Sequence, residues 1–161
     1  MLKLVVLVSG GGTNLQAIMD AITVGDLDAN IALVIADREC YGLERARLAK
    51  IPTKLIDRKI YKEQLSQQLL ESIAEDCDLI VMAGFLSIIN KSFINKFENR
   101  IINLHPSLLP KFGGVGMWGM NVHKAVITAG ETKSGCTVHY VTEDVDAGQI
   151  ILQSEVAVLS D

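Results

Sequence analysis

The chain has 161 residues, 49% of them hydrophobic, and a formal net charge of −4. That length suffices for one domain with its own core, and no apolar run approaches the roughly 18 to 20 residues that cross a bilayer. The acidic balance argues against a general nucleic-acid binder, which carries a basic excess, but leaves room for a local basic pocket for a small anion. The apolar run 4–8 behind Lys3 is too short for a signal-peptide core and leads straight into a glycine turn. The sequence therefore reads as cytoplasmic, with neither a membrane nor a nucleic acid as partner. Cys40, Cys77 and Cys136 match no zinc or redox spacing and read as buried free thiols.

In chain order, a β-branched strand at 4–8 meets a glycine turn and a helix over 14–22. A strand at 31–35 ends at Asp37-Arg38, followed by a short helix at 43–50 and a strand at 53–56. An amphipathic helix is expected over 61–74, then a buried strand at 79–82 with Ala83-Gly84 at its end. A helix at 91–97 precedes a strand at 100–104. Beyond Pro110 the glycines at 113, 114, 116 and 119 mark a loop, before a helix at 122–129 and two final strands at 136–141 and 149–156. Unbroken apolar strands separated by helices specify a mostly parallel central sheet with helices on both faces. With no repeat or linker, residues 1–161 read as a single α/β domain.

The turn Ser9-Gly10-Gly11-Gly12-Thr13-Asn14 joins the first strand to the first helix. Glycines admit positive φ and close backbone approach, and a helix N-terminus presents free amides at the positive end of its dipole. Thr13 or Asn14 could cap that helix. The turn suits a phosphate; a tight structural turn without ligand is the other reading. It is not a P-loop, because no Lys-Ser or Lys-Thr follows, and Leu15 stands where a dinucleotide fingerprint needs its third glycine. Asp37 could still grip a ribose hydroxyl, which keeps a non-catalytic nucleotide-binding module in view.

The segment Asn103-Leu104-His105-Pro106-Ser107-Leu108-Leu109-Pro110 sets an amide and an imidazole two residues apart at the end of a strand, so both project to one side. Pro106 ends regular pairing there. An amide donor beside a titratable imidazole suits a reaction that develops an oxyanion and moves a proton. His139 reads as packed or as a support for that site, and His123 as near a helix start. Neither these histidines nor Cys136 assemble a persuasive metal site, so no metal is expected. Asp146, in Glu143-Asp144-Val145-Asp146-Ala147-Gly148, reads on residues alone as part of a surface acidic turn or as a catalytic carboxylate.

Three motifs in this order and spacing, the turn with its continuation Leu15-Gln16-Ala17-Ile18, the Asn103–His105 segment, and Thr142-Glu143-Asp144-Val145-Asp146-Ala147-Gly148, resemble the phosphoribosylglycinamide formyltransferase family of purine synthesis. The likeness runs from residue 1 to the last strand. It implies a Rossmann-like formyltransferase fold, and 10-formyltetrahydrofolate as co-substrate with phosphoribosylglycinamide as acceptor. It also implies catalysis by Asn103, His105 and Asp146, with Asp146 orienting His105, favouring its protonated form and holding a water. Gly11, Gly12, Thr13 and Asn14 would hold the substrate phosphate. Leu86, Ser87, Ile88 and Ile89 would form the pterin pocket, with Arg58 and Asn103 also on the folate side.

The chain departs from the family's pattern in two places. Ser87 stands where relatives often carry arginine, and the loop 112–120 is longer than in many of them. That loop suits a mobile lid, a dimer contact or a fixed loop. The sequence stops at Asp161, where the family usually continues into another helix, so either the domain is shortened or the given sequence omits a tail. A monomer or homodimer is compatible with all of this. Two related enzymes share the chemistry: formyltetrahydrofolate deformylase and methionyl-tRNA formyltransferase. The expected absence of an N-terminal regulatory domain and of a C-terminal RNA-binding domain separates the chain from them.

Overall fold

The computed structural model describes residues 1–159. The chain folds as two compact units, Met1–Ile101 and the part from Ile102 onward. In the first unit, strands β1 (Leu2–Val8), β2 (Ala29–Ala36), β3 (Thr53–Leu55) and β4 (Leu79–Met82) lie in the order β3-β2-β1-β4. All their pairings are parallel. Between them run helices α1 (Thr13–Val24), α2 (Tyr41–Leu48), α3 (Arg58–Tyr61) and α4 (Leu65–Ser72), and α5 (Lys91–Lys96) follows β4.

The pleat explains the apolar runs. Leu4, Val6 and Val8 face a core that includes Leu15 and Met19 of α1 and Leu43 and Ala46 of α2. Val5 and Leu7, on the opposite face of the same strand, are equally buried. Burial of both rows is what a parallel sheet covered on both faces requires. In α1 the buried positions are spaced i, i+4, and Gly25 at φ 84° closes the helix in the left-handed conformation. Asn90 caps α5 by accepting from the Phe93 amide at 3.0 Å.

One expected element breaks. Instead of a continuous helix over 61–74, a single turn α3 capped by Asp57 gives way at Lys62 (φ 47°) to a 3-10 turn, and α4 begins at Leu65. Leu65, Leu69 and Ile73 are buried at i, i+4 spacing, whereas Ile60 is exposed. Nothing apolar anchors the first turn to the same axis.

The second unit contains β5 (Ile101–His105) from Ile102 onward, β6 (Lys133–Tyr140), β7 (Ile150–Ala157) and α6 (Met120–Thr128). β5 pairs antiparallel with β6, and β6 antiparallel with β7. β6 begins three residues earlier than expected because Lys133, Ser134 and Gly135 pair with Ala157, Val156 and Glu155. Of the cysteines, only Cys77 is buried; Cys40 and Cys136 are half-buried free thiols. Among the described residues no helix is long and apolar enough to cross a membrane.

Leu15 is 0% exposed in the α1–sheet core. Leu15→Ala is expected to cost about 3 kcal/mol through lost burial and a residual cavity. Urea denaturation measures it, and a loss below about 1 kcal/mol would contradict this packing.

Candidate active site

The antiparallel register of β5 and β6 builds the centre of the site. Asn103 lies directly opposite His139, and His105 opposite Thr137. Directly opposed residues share a face, so Asn103, His105 and His139 gather on one side. Asp146, from the connection between β6 and β7, meets them with its carboxylate: Oδ2 is 3.4 Å from His105 Nδ1 and Oδ1 is 3.6 Å from His139 Nε2. The Gly114 amide donates to Oδ2 at 3.0 Å. Asp146 adopts φ 56° to present this carboxylate, a left-handed conformation that aspartate tolerates better than most residues. Two positions on, a Cβ at Gly148 would overlap the Tyr140 carbonyl, so the turn requires glycine there.

Hydrogen-bond direction constrains the rings. A backbone carbonyl only accepts, so His139 Nδ1–H donates to Tyr140 O at 2.9 Å. Its Nε2 then accepts from Asn103 Nδ2 at 3.2 Å in the neutral ring. His105 Nε2–H donates to the Phe112 carbonyl at 2.8 Å while Nδ1 faces Asp146. Burial disfavours charge on His139, yet Asp146 and the Tyr140 carbonyl outweigh it and the pKa is raised. Burial likewise pushes Asp146 up, but His139, the Gly114 amide and His105 together hold its carboxyl below the usual range. The site is thus a carboxylate held as an anion between two imidazoles, with an amide donor attached to one of them.

Supporting contacts fix the turn after His105. Thr137 Oγ1 donates to Ser107 O at 2.7 Å and accepts from Leu109 N at 3.1 Å, while Gln153 Nε2 donates to Leu109 O at 2.9 Å. Ser107 is fully buried with its hydroxyl spent on Lys111 O, so it is not poised as a nucleophile. His123 is exposed on α6. Among the described residues no group of three or more His, Cys, Asp or Glu side chains is arranged to hold a metal ion.

The other expected residues lie in the first unit. Gly12, not Thr13 or Asn14, is the N-cap of α1, at φ 72° and without a side-chain cap bond. The first-turn amides are therefore left for an outside acceptor. Leu86 and Ile88 are exposed, Ile88 at 75%, whereas Phe85 and Ile89 are buried. Arg58 is exposed at the start of α3. Asp37 is 0% exposed, paired through both oxygens with Arg38 at 3.0 Å, and accepts from Ser87 Oγ at 2.5 Å. Its carboxylate is fully engaged inside the protein, which removes the ribose-gripping role and with it the main support for a nucleotide-binding module.

An α/β chain with an imidazole, a carboxylate and an amide assembled this way has the equipment of an enzyme that moves an acyl-type group through an oxyanion. The chain belongs to the formyl transferase family, which it matches over residues 2–161. It is 42% identical to a phosphoribosylglycinamide formyltransferase of Haemophilus influenzae, over all of this chain and 76% of that protein. It is also 41% identical to the trifunctional purine biosynthetic protein adenosine-3 of Homo sapiens, over 97% of this chain but 15% of that much longer protein. A crystal structure of glycinamide ribonucleotide transformylase 1 from Symbiobacterium toebii superposes with a TM-score of 0.91 at 40% identity, covering 99% of this chain and 75% of that one. The phosphoribosylglycinamide formyltransferase of Coxiella burnetii, solved in complex with CHES, gives 0.89 at 44% identity, covering 98% and 74%. The Rossmann-like formyltransferase fold expected from the sequence is the fold observed.

Sequence reasoning gave His139 no more than a supporting place and missed the backbone atoms of Phe112 and Gly114. The only available signal was His139's alternation with Thr137 on one strand face.

For Asp37, burial acts to raise the pKa, but hydrogen bonds from Arg38, Ser87 and Ser9, with the Arg38 charge, leave it lowered. A carboxyl whose folded pKa lies below its unfolded value of about 3.9 contributes stability above that value and loses it as pH falls through the folded one. The stability advantage of wild type over Asp37→Asn is therefore expected to be full at neutral pH and to shrink below about pH 4. Denaturation curves across that range measure it; a constant advantage would mean the carboxylate charge is not what stabilises.

Proposed function

We propose that the chain transfers the formyl group of 10-formyltetrahydrofolate to the primary amine of 5-phosphoribosylglycinamide, a step of purine biosynthesis. The observation that carries this reading is the cluster of half-buried Asn103 and Asp146 with buried His105, completed by buried His139.

The acceptor amine attacks the formyl carbon, a carbon–nitrogen bond forms, and the carbonyl electron pair moves onto oxygen. Asn103 has a second amide hydrogen beyond the one given to His139, and that hydrogen would meet the oxyanion. His105 Nε2–H would exchange the Phe112 carbonyl for the same oxygen. Preorganised donors of this kind are typically worth on the order of 3 kcal/mol each in the barrier. On collapse, the bond to the folate nitrogen breaks; that nitrogen takes up a proton and the former amine gives one up, through His105 and water. Asp146 stays anionic and balances the positive charge that His105 carries in this exchange. Holding both substrates removes much of the entropic barrier without a covalent enzyme intermediate.

The glycine turn supports a phosphate-holding role for Gly11, Gly12, Thr13 and Asn14. The exposed Leu86 and Ile88, with backbone from Ser87 and Ile89, support a pterin-contacting role, and Arg58 a folate-side charge. In this reading residues 1–161 act as one formyltransferase domain on small molecules, in the cytoplasm, as a monomer or homodimer.

The test follows absorbance as formyl folate loses its formyl group, with and without phosphoribosylglycinamide. Release that requires the amine is expected, with kcat lowered about 10²–10⁴-fold in His105→Ala and in Asp146→Asn. Release without the amine would make the chain a hydrolase, and no release under either condition would overturn the proposal.

A further inference from the structure

The glycine turn is gripped from one side by α2. The Gly42 amide donates to Gly10 O at 2.9 Å, and Arg45 Nε donates to Gly11 O at 2.8 Å. In a trans peptide the carbonyl and the following N–H point in opposite directions. With the carbonyls of Gly10 and Gly11 both drawn toward α2, the amides of Gly11 and Gly12 are turned away from it as an adjacent pair. Among the described residues neither amide has an acceptor. Two successive outward amides at the start of a helix form an anion-binding concavity.

The contact leaves no space for side chains between the two segments. A Cβ on Gly12 would lie 2.6 Å from Gly42 Cα and 3.3 Å from Arg45 Cδ. A Cβ on Gly42 would lie 3.0 Å from Val8 Cγ2 and 3.2 Å from Gly10 O. Arg45 itself is held at two further points: Nη1 donates to Gln16 Oε1 at 3.1 Å, and the guanidinium stacks on Tyr41, 4.8 Å from the ring centroid. Among the described residues no carboxylate pairs with it. A guanidinium without a counter-ion, fixed to a backbone carbonyl, orients the loop and leaves a positive charge on its far side.

We infer that α2 is the platform of the phosphate-holding loop and that Arg45 is a positioning residue for that phosphate, acting through the Gly11–Gly12 peptide. The identity of the phosphate as the substrate's rests on the proposed function; the orientation of the amides does not.

The test titrates the protein with inorganic phosphate at constant ionic strength and follows the backbone amide resonances of Gly11 and Gly12. In wild type both are expected to shift with one saturable affinity. Arg45→Met should weaken that affinity about five-fold or more, and Arg45→Lys, which keeps a cation able to reach the Gly11 carbonyl, should recover part of it. In turnover, Arg45→Met should raise KM for phosphoribosylglycinamide by a similar factor while KM for formyl folate moves less than about two-fold. Unmoved glycine amides in wild type, equal phosphate affinity in Arg45→Met, or equal rises in both KM values would overturn the inference. A wild-type protein that binds phosphate in this way but transfers no formyl group would refute the proposed function and leave this inference standing.

Discussion

The Asp146 carboxylate is the interaction on which the site depends. It accepts from one backbone amide and faces two imidazoles on neighbouring antiparallel strands. In a buried setting such a group is costly unless every oxygen is engaged, and strongly organising when it is. Its position follows from backbone constraints: a left-handed φ at Asp146 and a glycine two residues later that admits the Tyr140 carbonyl. Take away the carboxylate and two histidines lose their common partner, Asn103 loses a fixed neighbour, and the Gly114 amide loses its acceptor.

A second buried carboxylate does the corresponding work in the first unit. Asp37 follows directly on β2 and binds Ser87, which follows β4. Ser9, at the end of β1, donates its amide to Gly84 O and accepts from the Leu86 amide through Oγ. The carboxyl ends of three parallel strands are thereby tied to one another, the place where α/β sheets present ligand-binding loops. The glycine turn and the exposed Leu86 and Ile88 thus stand on a stiff edge, while the segment 112–119, with positive φ at Phe112, Gly114, Gly116 and Gly119, is the conformationally unusual stretch that touches both His105 and Asp146.

Much of this was legible in the sequence because it is local. The period-two spacing of Asn103 and His105 put them on one strand face, and the apolar runs marked the parallel strands β1, β2 and β4. Proline and glycine punctuated the turns in the right places. What stayed hidden is non-local or made of backbone. That His139 lies opposite Asn103 depends on the register between strands 36 residues apart. Phe112 and Gly114 act through main-chain atoms, which carry no residue signature. Asp37 looked like a ribose ligand because its distance from the glycines fits that pattern, yet tertiary packing spends both oxygens on Arg38 and Ser87. The helix expected over 61–74 failed because its apolar repeat begins at Leu65, so polarity alone could not place its start.

The central claim, that one anionic carboxylate electrostatically couples the buried imidazoles, is tested most directly by following the His139 ring resonances against pH in wild type and in Asp146→Asn. The account predicts that His139 titrates above the ordinary histidine value in wild type and falls in the variant, where burial acts unopposed by the Asp146 charge. Identical titration in the two proteins, or a wild-type value below the ordinary one, would contradict it.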